Sequence, residues 1–468
     1  MKKILAILIV LSFAISANAI TRITCIGASI THGATLPDPA RQSFPGQLQT
    51  LLGKNYIVNN FGVSGATLLR KGNLPYWNTP AYQQALKSSP DIVFIDLGGN
   101  DSKLINRPYY NEFEGDYHAL INSFRQLPSH PRIVLLLAMP SFEKDTTGIY
   151  DPVIVNRINP HIRQVAYDEK LEVLDMHSPL INHEEWTPDK IHPNVQGSAI
   201  AAKKLYDIVV QPRDATFDIL KSIKEPYKTD SFYGYPCATF TLNGRECKVV
   251  KPKWVAKGHP WIWRARFWGH EPQTDIALLE RGFHVAYSDV AELLGNDEAI
   301  TRWNNFYKIL HDGGLGQKAV LEGMSRGGIY IYNWAAVNPT KVAAVYADNA
   351  LLDLQFWSDS TLLKKDFNLT YVTQLGALKA SPLDKVGQIV KGGYPMLHLS
   401  ADEDEALDPS KNTLLFEQKV KALGGSITVI HKPGFKHHPH SLPNPQPIVD
   451  FILKATIASP QPSPKERE

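Results

Sequence analysis

Between Ile20 and Arg213 the chain alternates short, almost wholly apolar runs with segments of helical spacing, and it does so again after Pro212. The first runs are Ile20–Ile26, Tyr56–Phe61, Asp91–Leu97, Arg132–Ala138 and Leu171–Asp175. A strand that is apolar on both faces has to be covered on both faces. Parallel sheets with crossover helices above and below provide that cover. The second runs are Cys237–Leu242, Glu246–Val250, Lys253–Lys257, Phe283–Ser288, Ala319–Glu322, Val342–Ala347, Tyr394–Leu399 and Ser426–His431. Asn243-Gly244 joins the first two of these as a two-residue hairpin turn, so this sheet starts antiparallel and is mixed. The pattern predicts two α/β units, residues 20–213 and 216–456, with Ala199–Val210 as the last helix of the first. A length of 468 residues accommodates both. The Ser-Pro-Gln-Pro-Ser-Pro stretch and the charges after it, residues 459–468, are expected to be disordered.

Forty-nine basic residues against forty-six acidic ones leave a net charge of +3, too weak a positive field for a nucleic-acid partner. At the start, Lys2 and Lys3 precede the apolar run Ile4–Ile15, and Ala17-Asn18-Ala19 offers a small-x-small cleavage site. This is the pattern of a secretory signal, residues 1–19, cut after Ala19. It implies a secreted or periplasmic protein. No later segment reaches eighteen uninterrupted apolar residues, so stable membrane insertion is not expected. The three cysteines, Cys25, Cys237 and Cys247, exclude a disulfide-rich scaffold. The Asn-Gly turn sets Phe240 opposite Cys247, which puts Cys237 on the other face. Free, mostly buried thiols are therefore expected.

Chemistry-bearing residues collect at strand ends, where ligands bind in open α/β sheets. Ser29 follows the first strand in Gly27-Ala28-Ser29-Ile30. Gly65 follows the second in Phe61-Gly62-Val63-Ser64-Gly65, and Asn100 the third in Gly98-Gly99-Asn100-Asp101. Asp189-Lys190-Ile191-His192-Pro193 adds a carboxylate and an imidazole three residues apart. Acyl transfer needs these parts. Ser29 is a nucleophile, His192 can take its proton, and Asp189 can fix the His192 tautomer. The Ser29 and Gly65 amides and the Asn100 side chain can donate to an oxyanion. Taken alone, each has a plainer reading as a helix cap, a tight turn or a surface histidine.

Together these blocks make residues 20–210 resemble the SGNH (GDSL) hydrolases, with Ala28 where aspartate is common in that family. The resemblance implies a flavodoxin-like five-strand sheet and metal-free ester hydrolysis. The stretches Asn60–Thr67 and Gly99–Lys103 are most similar to the sugar O-acetylesterase branch.

A second set lies downstream. In Gly323-Met324-Ser325-Arg326-Gly327, glycines flank a serine between a strand and a helical run. Such glycines allow the sharp turn that lifts a hydroxyl out of a sheet. The order serine, acid, histidine points to Asp404, with Asp402 second, after the strand ending at Leu399. It then points to His437, ranked above His438 and His440, in Pro433–His440. The same histidines are also readable as a metal site, and the acids as a solvated loop. Residues 216–456 resemble α/β-hydrolase fold esterases. That resemblance implies the Arg326 amide as one oxyanion donor, a second donor at Trp261 or Ile262, and a lid within the insertion 353–390. Trp254, Trp261, Trp263 and Trp268 are read as core or as a stacking wall for substrate, with Trp261 and Trp263 the candidate contacts.

No Gly-x-Gly-x-x-Gly before a helix, phosphate loop or His-Glu-x-x-His is present, so no cofactor or metal is expected. The reading is a secreted two-domain serine esterase acting on an acylated, chiefly acetylated, poly- or oligosaccharide. Its rivals are a lipid or thioester hydrolase in the first unit, and a second unit that only binds carbohydrate or is structural.

Overall fold

The computed structural model describes residues 20–291, 293–354 and 381–457. The signal expected at 1–19, most of the insertion expected to carry a lid, and the expected tail lie outside the described residues.

Five parallel strands form the first sheet: β1 (Thr21–Gly27), β2 (Tyr56–Gly62), β3 (Ile92–Asp96), β4 (Arg132–Leu136) and β5 (Glu172–Leu174). Their order is β2-β1-β3-β4-β5, the flavodoxin-like arrangement. Every residue of β3 is buried, as expected for a central strand with helices on both faces. The covering helices start on side-chain caps. Ser43 caps Phe44–Leu52, Thr79 caps Pro80–Lys87 and Asn194 caps Val195–Val210.

A short ladder pairs β6 (Arg213–Asp214) with a strand of the second unit. Then come β7 (Tyr227–Phe232), β8 (Tyr235–Leu242), β9 (Arg245–Val250), β10 (Val255–Ala256), β11 (Trp261–Ala265), β12 (His284–Ser288), β13 (Ala319–Met324), β14 (Val342–Asp348), β15 (Met396–Ala401) and β16 (Ile427–Lys432). Nine of them make one sheet in the order β16-β15-β14-β13-β11-β12-β9-β8-β7. From β12 to β16 the pairs are parallel, whereas β7, β8 and β9 pair antiparallel. This is an α/β-hydrolase fold with one additional antiparallel edge strand.

The hairpin register pairs Phe240 with Cys247, and all three cysteines are buried and free. Two expectations fail. Lys253–Lys257 is not a sheet strand; only β10 forms there, pairing with β6. The central strand is instead β11, which is missing from the runs expected from sequence. Pro260 and the charge of Arg264 disguised it, although Trp261-Ile262-Trp263 has the aromatic and β-branched character of a strand.

Three apolar cores fill the molecule. One is shared by both units, joining Tyr117, Leu135 and Ile162 to Phe232, Ile276 and Ile452. Polar ties cross the same junction. The Asp175 amide and Lys204 Nζ donate to Glu280 at 2.5 and 2.6 Å, and Arg281 pairs with Asp207 at 2.9 Å. Tyr235 Oη donates to the Val173 carbonyl at 3.1 Å.

Candidate active sites

The first site forms where β1 ends. Gly27 closes the strand, and a Cβ there would sit 2.8 Å from the Asp96 carbonyl and overlap the Thr31 side chain. Only glycine lets the chain turn into the short helix Ser29–His32 so near β3. Thr31 Oγ1 donates to Asp96 at 2.7 Å and fastens that helix to the end of β3. Burial pushes the Asp96 carboxyl up to about 6, with the Thr31 bond pulling the other way.

Ser29 is buried, and its Oγ lies 2.8 Å from His192 Nε2. His192 Nδ1 lies 2.6 Å from Asp189 Oδ2. The other Asp189 oxygen accepts the amides of Ile191 and His192 at 3.1 and 2.7 Å. Burial raises the Asp189 carboxyl, but the His192 ring and these amides outweigh it and hold the group below its ordinary range. A carboxylate so held fixes the imidazole with Nδ1 protonated and Nε2 facing the serine.

Asn100 Nδ2 donates to the Ala66 carbonyl at 3.1 Å, which brings the amide nitrogen to the segment after Gly65. That bond uses one of the two N–H groups and leaves the second for another acceptor. Buried Asp101 braces the same segment, accepting the Leu68 and Leu69 amides at 3.0 and 2.8 Å. Ser29 and Asn100 line a cavity of 30 Å³ with Ala28, Ala138, Met139 and Ile154. The four sequence blocks thus meet at one point.

At the second site Ser325 occupies the turn between β13 and the helix Gly327–Val337, with φ +48°. That conformation strains a residue with a side chain. It is held by main-chain bonds: the Ser325 amide donates to the Asp348 carbonyl at 2.9 Å, and its carbonyl accepts from Leu351 at 2.8 Å. Ser325 Oγ lies 3.0 Å from His437 Nε2, and His437 Nδ1 lies 2.7 Å from Asp404 Oδ2. Asp404 Oδ1 accepts the Ala406 and Leu407 amides, both at 2.9 Å. Asp402 pairs instead with His431 at 2.9 Å, and buried His440 faces Asp348 at 3.3 Å. The Asn349 side chain donates to the His437 carbonyl at 2.9 Å and pins the histidine loop.

Two expectations here are corrected. Trp261 and Trp263 are fully buried and cannot be substrate contacts. Trp263 stacks on Trp303 at 4.2 Å between ring centres, and Trp261 packs on Trp263 at 5.5 Å. Because Trp261 and Ile262 lie within β11, they cannot supply an oxyanion donor either; their amides belong to the ladder. The loop that reaches the serine begins at Arg266. A Cβ on Gly327 would sit 2.8 Å from the Ala265 carbonyl, and the Arg326 guanidinium lies 5.8 Å from the Phe267 ring centre.

Sequence reasoning also missed what holds that loop. Buried Arg264 donates to the carbonyls of Phe267, at 3.2 Å, and His270. It also pairs with Asp275 and Glu322 at 2.5 and 3.2 Å. Burial, reinforced by Asp275, pushes the Glu322 carboxyl well above its ordinary value, and the Arg264 guanidinium pulls the other way. An arginine inside a run of tryptophans was the available signal, since a buried charge demands partners.

Residues 25–200 match the model of the GDSL-like Lipase/Acylhydrolase family. An acetylxylan esterase of Xylanibacter ruminicola is 38% identical over 206 residues, covering 40% of this chain and 42% of that protein. The chain therefore spans about two fifths of this curated relative. Among solved structures, an S-formylglutathione hydrolase from Agrobacterium tumefaciens is 13% identical with a TM-score of 0.38, covering 49% of this chain and 96% of its own. The Pyrococcus horikoshii acylaminoacyl peptidase is 15% identical with a TM-score of 0.38, covering 51% and 43%. Residues 25–200 are thus similar to the GDSL-like lipase/acylhydrolases, and the strand order of the nine-stranded sheet gives the following unit its α/β-hydrolase fold.

Proposed function

We propose that the chain is a two-site serine esterase that removes acetyl groups from carbohydrate at Ser29 and cleaves a second ester at Ser325. The observation that carries this reading is the duplicated relay: Asp189–His192–Ser29 and Asp404–His437–Ser325 each form an unbroken line of short contacts. In the first, Ser29 Oγ attacks the ester carbonyl while His192 Nε2 takes its proton, and Asp189 steadies the imidazolium. The Ser29 and Gly65 amides and the second Asn100 N–H receive the oxyanion. His192 then protonates the leaving sugar oxygen to give the free hydroxyl, and water repeats the cycle to release acetate. In the second, Ser325, His437 and Asp404 take the same parts. The Arg326 amide and an amide of the loop beginning at Arg266 act as oxyanion donors.

The 30 Å³ cavity beside Ser29 supports a short acyl group over the long chains of a lipid substrate. The acetylxylan esterase relative supports an acetylated polysaccharide. We read residues 20–213 and 216–456 as the two catalytic units and residues 1–19 as a secretory signal. No helix among the described residues is long and apolar enough to cross a membrane.

The test is acid release from acetylated, feruloylated and methyl-esterified glycans by the full chain, Ser29→Ala and Ser325→Ala. Ser29→Ala should lower acetate release by several orders of magnitude. Near-normal acetate release from that variant would overturn the assignment.

A further inference from the structure

Beside the Ser325 site, the side chains of His270, His438 and His440 converge, and their ligand atoms all lie within 4.8 Å of one another. They come from two loops. His270 follows β11, in the loop that Arg264 anchors, whereas His438 and His440 follow β16, next to His437. We propose that these three histidines bind a divalent transition-metal ion, of the zinc or cobalt kind, that ties the two loops together.

Three features support a metal over plain packing. First, His440 is buried, and its Nδ1 lies 3.3 Å from Asp348 Oδ1. Donation to that carboxylate leaves the Nε2 lone pair free, the outer-shell arrangement that orients histidine ligands of metals. Asp348 is itself fixed by Lys432 at 3.2 Å, the Ser441 amide at 2.5 Å and Tyr346 Oη at 3.0 Å. Second, Glu271 sets a carboxylate beside the trio. Its Oε1 lies 3.7 Å from His270 Nε2, and its Oε2 is buried without a hydrogen-bond partner among the described residues. Third, His270 and His438 are exposed, so a metal can reach them from solvent. Metal–nitrogen bonds of about 2.0–2.1 Å require the nitrogens to close to about 3.3 Å, a movement that falls to the exposed His270 and His438 rings because Asp348 holds His440. Three imidazoles suit zinc, cobalt, nickel or copper and not calcium or magnesium. The fourth position is left for water or a substrate oxygen.

The ion takes no part in the serine chemistry proposed above, and the test is independent of that reading. Untagged full-length protein, stripped with a chelator, is titrated with Co²⁺ and then Zn²⁺. One equivalent of Co²⁺ should develop the visible absorption of a tetrahedral nitrogen-ligated site, and Zn²⁺ should abolish it. Ser325→Ala should bind Co²⁺ like the wild type. His270→Ala and His438→Ala, folded by circular dichroism, should each bind it about 100-fold more weakly or worse, beyond the usual loss for an outer-shell partner. Absence of a stoichiometric band in the wild type, or its survival in either histidine variant, would overturn the proposal.

Discussion

Asn100 and Asp96 sit at the same strand end and do opposite things. Asn100 has one N–H committed to Ala66 and one to spare, so its loss should act on the transition state. Asn100→Ala is expected to lower kcat for acetyl esters by about 10²–10³ with little change in KM, measured by steady-state kinetics. Asp96 shapes the fold beneath Ser29. Its carboxyl, raised by burial from 3.8 to about 6, favours the folded state while protonated. That contribution is full below about 3.8 and is lost as pH rises through about 6. Asp96→Asn keeps an acceptor for Thr31 and removes the charge. It should raise stability near pH 8 by on the order of 1–3 kcal/mol and change little near pH 4. Thermal melts across pH check this; an equal gain at both ends would contradict it.

At the scale of elements, the turn at Ser325 depends on a close approach of main chain to main chain. The helix Gly327–Val337 begins so near β11 that a Cβ on Gly327 would meet the Ala265 carbonyl at 2.8 Å. Main chain cannot step aside as a side chain can, so Gly327→Ala should displace the loop at Arg266 and lower turnover at Ser325. Gly387, in the helix Val386–Lys391, has open space around it. Gly387→Ala should therefore stabilise by about 0.4–1 kcal/mol and leave both activities unchanged. Parallel measurements of melting and of labelling at Ser325 separate the two outcomes. The strand β11 shows why element reading has a limit. Its tryptophans promised either a core or a platform, and the choice rests on Trp303 and Trp334, which lie on helices far along the chain.

Across the whole molecule, the units share an apolar core and buried ion pairs, yet each serine finds its histidine and acid within its own unit. Activities should therefore separate even though folding need not. Ser325→Ala should leave acetate release by Ser29 almost unchanged, because sites without shared partners behave additively. A fluorophosphonate should label two serines per chain, and each serine variant should remove one label. Loss of both activities from one substitution would mean a single composite site.

Most strand positions other than β7 and β11, the five-strand parallel sheet, the Asn-Gly hairpin register and the serine, acid and histidine blocks were legible in sequence. They are written locally, in apolar runs, glycines at sharp turns and short spacings such as Asp189 to His192. Even the choice of Asp404 and His437 over their neighbours followed from their order and spacing. What the tertiary structure alone decided are contacts between distant segments: Arg264 reaching Asp275 and Glu322, Asp348 facing His440, and Glu280 holding Lys204 across the junction. A buried charge shows in sequence only as an oddity, because its partner is chosen by packing and not by spacing.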